Sequence, residues 1–155
     1  MKRRDMLQGA LAVTAVTAGA ASPATPASAV EASMRRARGM AVLERVTGDS
    51  GRAVIDGLGG IAPELGGFIV DFCYGEVIGR PGLDLKTRQL ATVAALAALG
   101  HAGPRLKVHV RGALNVGATR AEVVEILLQT AVYAGFPAAL NAVASAREAF
   151  AEAGG

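Results

Sequence analysis

The chain has 155 residues, which allows a single domain, and its 52% hydrophobic content is enough to build a core. Aromatics make up only 4%, there is no Trp, and Ala, Gly, Val and Leu dominate, so helices can approach closely and helix-on-helix packing is favoured. The formal net charge is +3, but the basic residues beyond the N-terminus are spread rather than striped and lack interleaved aromatics, which excludes a nucleic-acid partner.

The chain begins Met1-Lys2-Arg3-Arg4-Asp5-Met6-Leu7, continues through a mildly apolar run over residues 9–21, and reaches the small residues Ala27-Ser28-Ala29. A charged start, a short apolar run and a small-x-small site predict a signal peptide over residues 1–29, with the helical domain over 30–155. The Arg3-Arg4 pair looks like a twin-arginine signal, so export to the periplasm is expected. Cleavage after Ala29 removes three basic residues and one acidic one, and the net charge falls from +3 to +1. The apolar run is too short and interrupted to span a bilayer, so no stable membrane anchor is expected after cleavage.

Residues 33–46 carry Met34, Ala37, Ala41, Val42 and Val46 at helical spacing and predict an amphipathic helix that stops near Gly48. Arg35, Arg36 and Arg38 read as its solvated face. A short helix over 51–58 ends at Gly59-Gly60. Pro63 suits the first turn of a third helix reaching about Val77, in which Leu65, Phe68, Ile69, Phe72 and Cys73 recur every three or four residues. As the single cysteine, Cys73 excludes an intrachain disulfide, and its apolar neighbours make it a buried small hydrophobe.

A turn at Gly79-Arg80-Pro81-Gly82 precedes Asp84, a good N-cap for a fourth helix over 85–99, with Gly100 just past its end. The body of that helix is apolar all round, which predicts burial on every side. Pro104 opens a fifth helix and Gly117 closes it. Thr119-Arg120-Ala121-Glu122 is a capping box that starts a sixth helix, Gly135 stops it, and Pro137 sits at the start of the last. No stretch reads as a strand, so the fold class is all-α with six to seven helices. The fourth and sixth helices are too apolar for a small domain to hide, so a homo-oligomer is expected.

The two histidines flank the start of the fifth helix. His101 falls in a turn and should be exposed. His109 lies at the edge of the stripe formed by Leu106, Val110, Ala113 and Leu114, with Arg105 one turn before it on the same face and Lys107 and Arg111 opposite. Burial and a neighbouring guanidinium both lower a histidine's proton affinity, which suits acid/base work near neutrality. From spacing alone the more economical reading is a core histidine satisfied by a backbone carbonyl. His101 and His109 form no HxxxH pair, no carboxylate is spaced to complete a metal set, and no phosphate loop or GxSxG elbow occurs.

The segments LDLKTRQLATVAALAALG and RLKVHVRGALNVGATRAEVVEILLQTAVYAGFPAALNA resemble the carboxymuconolactone decarboxylase family, which shares its fold with alkyl hydroperoxidase D. The resemblance covers about residues 65–150. It implies an alkyl hydroperoxidase D-like helical domain assembled into trimers or hexamers, a small-molecule substrate, and no metal or organic cofactor. The family's founding activity removes CO2 from γ-carboxymuconolactone. Such a site needs cations for carboxylates, a donor at the developing oxyanion, and an acid to reprotonate carbon.

His109 falls on the family's histidine and is the implied acid. Arg88, in the TR(E/Q)L segment, is a candidate for carboxylate binding together with Arg80 and Arg111, and Arg105 joins them as the cation beside His109. Two departures stand out. Ala102-Gly103-Pro104-Arg105 replaces the CxxC of the peroxidase branch, which argues against the alternative of an antioxidant with peroxiredoxin activity. Gln89 stands where many relatives have Glu, which removes a proton carrier. A third reading is an exported oligomer that binds a small ligand without catalysis.

Overall fold

A computed structural model describes residues 25–154, which form seven helices and no strand. They are α1 (Pro26–Thr47), α2 (Asp49–Leu58), α3 (Pro63–Phe68), α4 (Leu85–Ala98), α5 (Gly103–Asn115), α6 (Arg120–Ala134) and α7 (Phe136–Glu152). The α3 helix runs without a break into a π-helical segment, Ile69–Ile78. Most of the leader expected from the sequence lies outside the described residues. The first helix begins earlier than its apolar pattern indicated, because the Thr25 hydroxyl accepts from the Ser28 amide and Pro26 occupies its first turn.

Helix ends follow the local chemistry. Gly48, Gly100, Gly117 and Gly135 all adopt positive φ and terminate or precede helices. Asp84 accepts from the Thr87 amide at 2.8 Å and starts α4. At α6 the Thr119 hydroxyl accepts from the Glu122 amide at 3.1 Å while the Thr119 amide donates to the Glu122 carboxylate at 2.7 Å.

The helices pack into two layers. Helices α4 to α7 enclose a core built on Val93, Leu106, Val110, Val123 and Leu127, with Ala142, Ala146 and Ala149 from α7. A second, smaller core joins α1 to the π-helical segment through Leu43, Val46, Val70 and Tyr74. Its helices cross closely because neither has a side chain at the contact. A methyl group on Gly39 would overlap the Val70 carbonyl oxygen, and one on Gly75 would lie 2.9 Å from the Arg35 carbonyl oxygen. At the edge of this crossing Arg36 pairs with Asp71 at 3.2 Å and the Arg38 Nε donates to the Gly75 carbonyl at 2.9 Å. The layers join where Asn115 at the end of α5 donates to the Val46 carbonyl at 2.9 Å.

Burial of α4 on every side does not hold in the chain. Its buried residues are Gln89, Val93 and Ala97, one stripe facing the core, because α5, α6 and α7 pack on that side and no helix of the described residues covers Ala91, Ala95 and Ala98. Similarly, α6 buries Val123, Leu127 and Thr130 and leaves Val124, Leu128, Val132 and Tyr133 exposed. Cys73 is also exposed, because the π-helical segment turns it away from the small core. Among the described residues no helix is long and apolar enough to cross a membrane.

The close crossing at Gly39 makes a specific demand on stability. Gly39→Ala has to push α1 off the π-helical segment, and urea unfolding should register a loss of about 1–3 kcal/mol. Gly57→Ala, at a helical glycine where an added methyl meets nothing within 4 Å, should not destabilise the protein.

Candidate functional site

A cavity of about 410 Å³ opens where the two layers meet. Leu43 and Thr47 of α1 form one side, and Ser50, Val54, Ile55 and Leu58 of α2 form the next. Leu65 of α3 and Ile69, Cys73 and Tyr74 of the π-helical segment continue the wall. The last side belongs to α5, which contributes Arg105, Val108 and His109. Its size falls within the range of small-molecule sites.

The α5 sequence explains why these residues meet. Leu106, Val110 and Ala113 are anchored in the four-helix core, so the helix must turn Arg105 and His109, one turn apart, toward the smaller layer. Lys107 and Arg111 are thereby directed to α7, where both pair with Glu152.

His109 is half-buried, and its Nδ1 lies 3.0 Å from the Oε1 of Gln89. Gln89 itself is 1% exposed, one turn into α4 and directly after Lys86, Thr87 and Arg88. A carboxamide oxygen can only accept, so Nδ1 carries the proton and Nε2 keeps its lone pair in the neutral ring. Gly112 makes room for this arrangement. A methyl group there would lie 3.2 Å from the Gln89 Oε1 and 3.0 Å from Val46 Cγ1. The expected backbone carbonyl partner of His109 is therefore replaced by a buried side chain from α4.

Burial lowers the proton affinity of His109, and the Arg105 charge lowers it further. Two other titratable groups share the cavity, and both move the other way. Burial pushes the Cys73 thiol up, and burial together with Cys73 pushes the Tyr74 phenol up to about 12. At neutral pH the cavity therefore holds a neutral imidazole, a neutral thiol, a phenol that remains a donor, and one guanidinium.

The other sequence candidates lie elsewhere in the chain. Arg88 is held by the turn before α4, donating to the Leu83 carbonyl at 3.3 Å and the Arg80 carbonyl at 3.2 Å. Arg80 is exposed in that same turn, and Arg111 faces Glu152 at 3.2 Å. Of the four arginines considered, only Arg105 lines the cavity with His109. His101 is exposed, as expected from its turn, with Nδ1 donating to the Leu99 carbonyl at 2.7 Å.

Sequence reasoning treated Gln89 only as the loss of a carboxylate and did not single out Tyr74, Thr47 or Ser50. The available signal for Gln89 was its register, four and eight residues before Val93 and Ala97 on one helix face. Nothing in the local pattern marks the others, since the cavity brings together residues far apart in the chain. Among the described residues no group of His, Cys, Asp and Glu could hold a metal ion.

Residues 63–148 match the sequence profile of the carboxymuconolactone decarboxylase family. The chain is 36% identical over 121 residues to a 4-carboxymuconolactone decarboxylase of Acinetobacter baylyi, covering 77% of this chain and 90% of that protein. It is 36% identical over 93 residues to an uncharacterized 15.0 kDa protein of Paracoccus denitrificans, covering 59% of this chain and 69% of that protein. It is also 41% identical over 76 residues to a nitrosuccinic acid decarboxylase of Metarhizium robertsii, covering 48% of this chain and 52% of that protein.

The His109 environment has a signed pH consequence. Its folded-state affinity lies below the ordinary value of 6.5, so the unfolded chain binds more protons as pH falls below that value. The contribution of His109 to stability is present above pH 6.5 and is lost as pH drops toward the depressed folded value. Nitrogen-15 NMR of the imidazole should show the Nδ1–H tautomer at pH 7 and a titration midpoint below 6.5. Gln89→Glu should raise that midpoint, because a carboxylate stabilises the imidazolium. An Nε2–H ring in the unmodified protein would contradict the assignment.

Proposed function

The chain belongs to the carboxymuconolactone decarboxylase family, and from that membership we propose that it is a cofactor-independent carboxy-lyase acting on a small carboxylated lactone or related acid. The observation that carries this reading is the joint placement of Arg105 and His109 on one cavity wall, with Gln89 buried behind the histidine. A decarboxylase-like activity agrees with the names of two relatives, and the roles below are proposed for this chain.

Arg105 receives the substrate carboxylate. As the C–C bond breaks, its electron pair moves into a conjugated carbonyl and CO2 departs. The oxygen that gains charge needs a donor, and the Tyr74 phenol, pushed up to about 12, is a cavity hydroxyl that stays protonated across the working range. The carbon left behind then takes a proton from His109.

The empty cavity disfavours an imidazolium, but an anionic substrate offsets the Arg105 charge and draws a proton onto Nε2 as it binds. Gln89 holds the Nδ1 proton in both states. Only the Nε2 proton is then free to be delivered, and solvent restores it after each turnover.

The peroxidase alternative is weaker. It needs a second thiol close to the first, and the chain has a single cysteine whose thiol is pushed up by burial.

Export and assembly belong to the same proposal. Residues 25–34 are exposed throughout, so removal of a leader ending at Ala29 costs the domain no buried contact. The exposed Leu128, Val132, Tyr133, Phe136 and Leu140 form an apolar face suited to copies of the chain in a trimer or hexamer.

Two measurements test these readings. Ultraviolet assay of γ-carboxymuconolactone or a related acid should show His109→Ala losing about 10²–10⁴-fold in kcat. In the same assay kcat should fall on the alkaline side as the imidazolium is lost, and full turnover in His109→Ala would exclude the role. Replacing Arg3 and Arg4 with Lys should keep the precursor in the cytoplasmic fraction, whereas the unmodified chain should be recovered from periplasm with residues 1–29 absent by intact mass.

A further inference from the structure

Among the described residues two polar side chains are buried, Gln89 and Thr130. Thr130 satisfies itself within α6 by donating to the Ile126 carbonyl at 2.9 Å, whereas the Gln89 oxygen accepts from His109 on another helix. The place of that oxygen is therefore set by neighbouring helices as well as by α4.

Those neighbours leave it one slot. Gly112 lies three residues after His109 on the same face of α5 and is itself buried. A methyl group there would stand 3.2 Å from the Gln89 Oε1, 3.0 Å from Val46 Cγ1 and 3.2 Å from the Val46 carbonyl oxygen, each closer than ordinary van der Waals contact. Something would have to move.

Val46 is the firmer neighbour. Its side chain is fully buried in the small core and β-branched, and its carbonyl, near the end of α1, accepts from Asn115 at 2.9 Å. The Gln89 carboxamide sits at the end of three rotatable bonds, so it is the group that yields. No other acceptor is bonded to Nδ1 among the described residues, and a neutral ring that loses Gln89 has no reason to keep its proton there.

Glycine is also a poorer helix former than alanine, so the missing methyl at Gly112 brings α5 no stability of its own. We infer that Gly112 is a positioning residue for His109: its missing side chain seats the Gln89 carboxamide 3.0 Å from Nδ1 and so fixes which ring nitrogen is left to exchange a proton with a ligand. The charged and titratable groups facing His109 across the cavity are Arg105 on its own helix and Cys73 and Tyr74 of the π-helical segment, while α1, α2 and α3 line it with uncharged residues. None of them is bonded to Nδ1.

The test is nitrogen-15 NMR of the imidazole in the full-length protein at about pH 7.5, with urea unfolding alongside, for the unmodified chain, Gly112→Ala, Gln89→Ala and the double variant. Gly112→Ala should lower the ratio of Nδ1–H to Nε2–H ring at least about tenfold, as Gln89→Ala does. The double variant should match Gln89→Ala, because the methyl acts only through the carboxamide. A folded Gly112→Ala protein with an unchanged Nδ1–H ring overturns the inference, and so does a further shift in the double variant. If Gly112→Ala does not fold, the double variant decides. Unfolding at the same or a higher urea concentration than Gln89→Ala upholds the slot, since the methyl fills space the carboxamide vacated, and unfolding at a lower one assigns the clash to Val46 and overturns it.

The consequence for turnover rests on the carboxy-lyase reading, whereas the tautomer does not. With γ-carboxymuconolactone, Gly112→Ala should lose at least about tenfold in kcat while KM changes by less than about threefold. A shifted tautomer with unchanged kcat overturns the role in proton transfer. A shifted tautomer in a protein that turns over no acid upholds the placement of His109 and removes the lyase reading.

Discussion

The structure depends on α5 serving two layers at once. Leu106, Val110 and Ala113 commit one face to the four-helix core, and this leaves the helix no freedom to rotate. Rotation by a third of a turn would bury Lys107 or strip His109 of Gln89. The edge carrying Lys107 and Arg111 is tied to Glu152, and the C-terminal end is tied to α1 through Asn115. The orientation of His109 is therefore a by-product of core packing, and the side chain needs no flexible loop to present it.

The electrostatics of the cavity follow from the same packing. Apolar residues exclude water, which lowers the proton affinity of an imidazole and raises that of a thiol and a phenol. All three groups are then neutral near pH 7, and Arg105 supplies the one charge. An incoming anion changes that balance more than it would in water, because the local dielectric is low and no carboxylate shares the cavity wall. Gln89 is significant here for being uncharged. A carboxylate at the same place would compete with substrate for the imidazolium and hold its proton back.

Much of the fold was legible in the sequence because helix punctuation is local. Asp84, Thr119 with Glu122, and the positive-φ glycines act over three or four residues, and each ended or started a helix where its chemistry required. The i,i+4 relation between Arg105 and His109 was equally legible, since helical periodicity alone places both on one face. The π-helical geometry of Ile69–Ile78 was not. Nor was its close packing against α1 at Gly39 and Gly75, which pairs residues 36 apart in the chain.

What the sequence determined by itself was the all-helical class, the helix boundaries within a few residues except the start of α1 and the end of α3, and the pairing of a histidine with an arginine on one helix face. These rest on interactions between near neighbours in the chain, which act before tertiary contacts form. Only the tertiary structure decided which cations reach that histidine. It turned Arg111 to α7, fastened Arg88 to the backbone of a turn, and left Arg105 alone at the cavity. It also brought Gln89 from α4 and Tyr74 from the π-helical segment to the same place. Those outcomes depend on how two cores share one helix, a constraint that no single stretch of sequence carries.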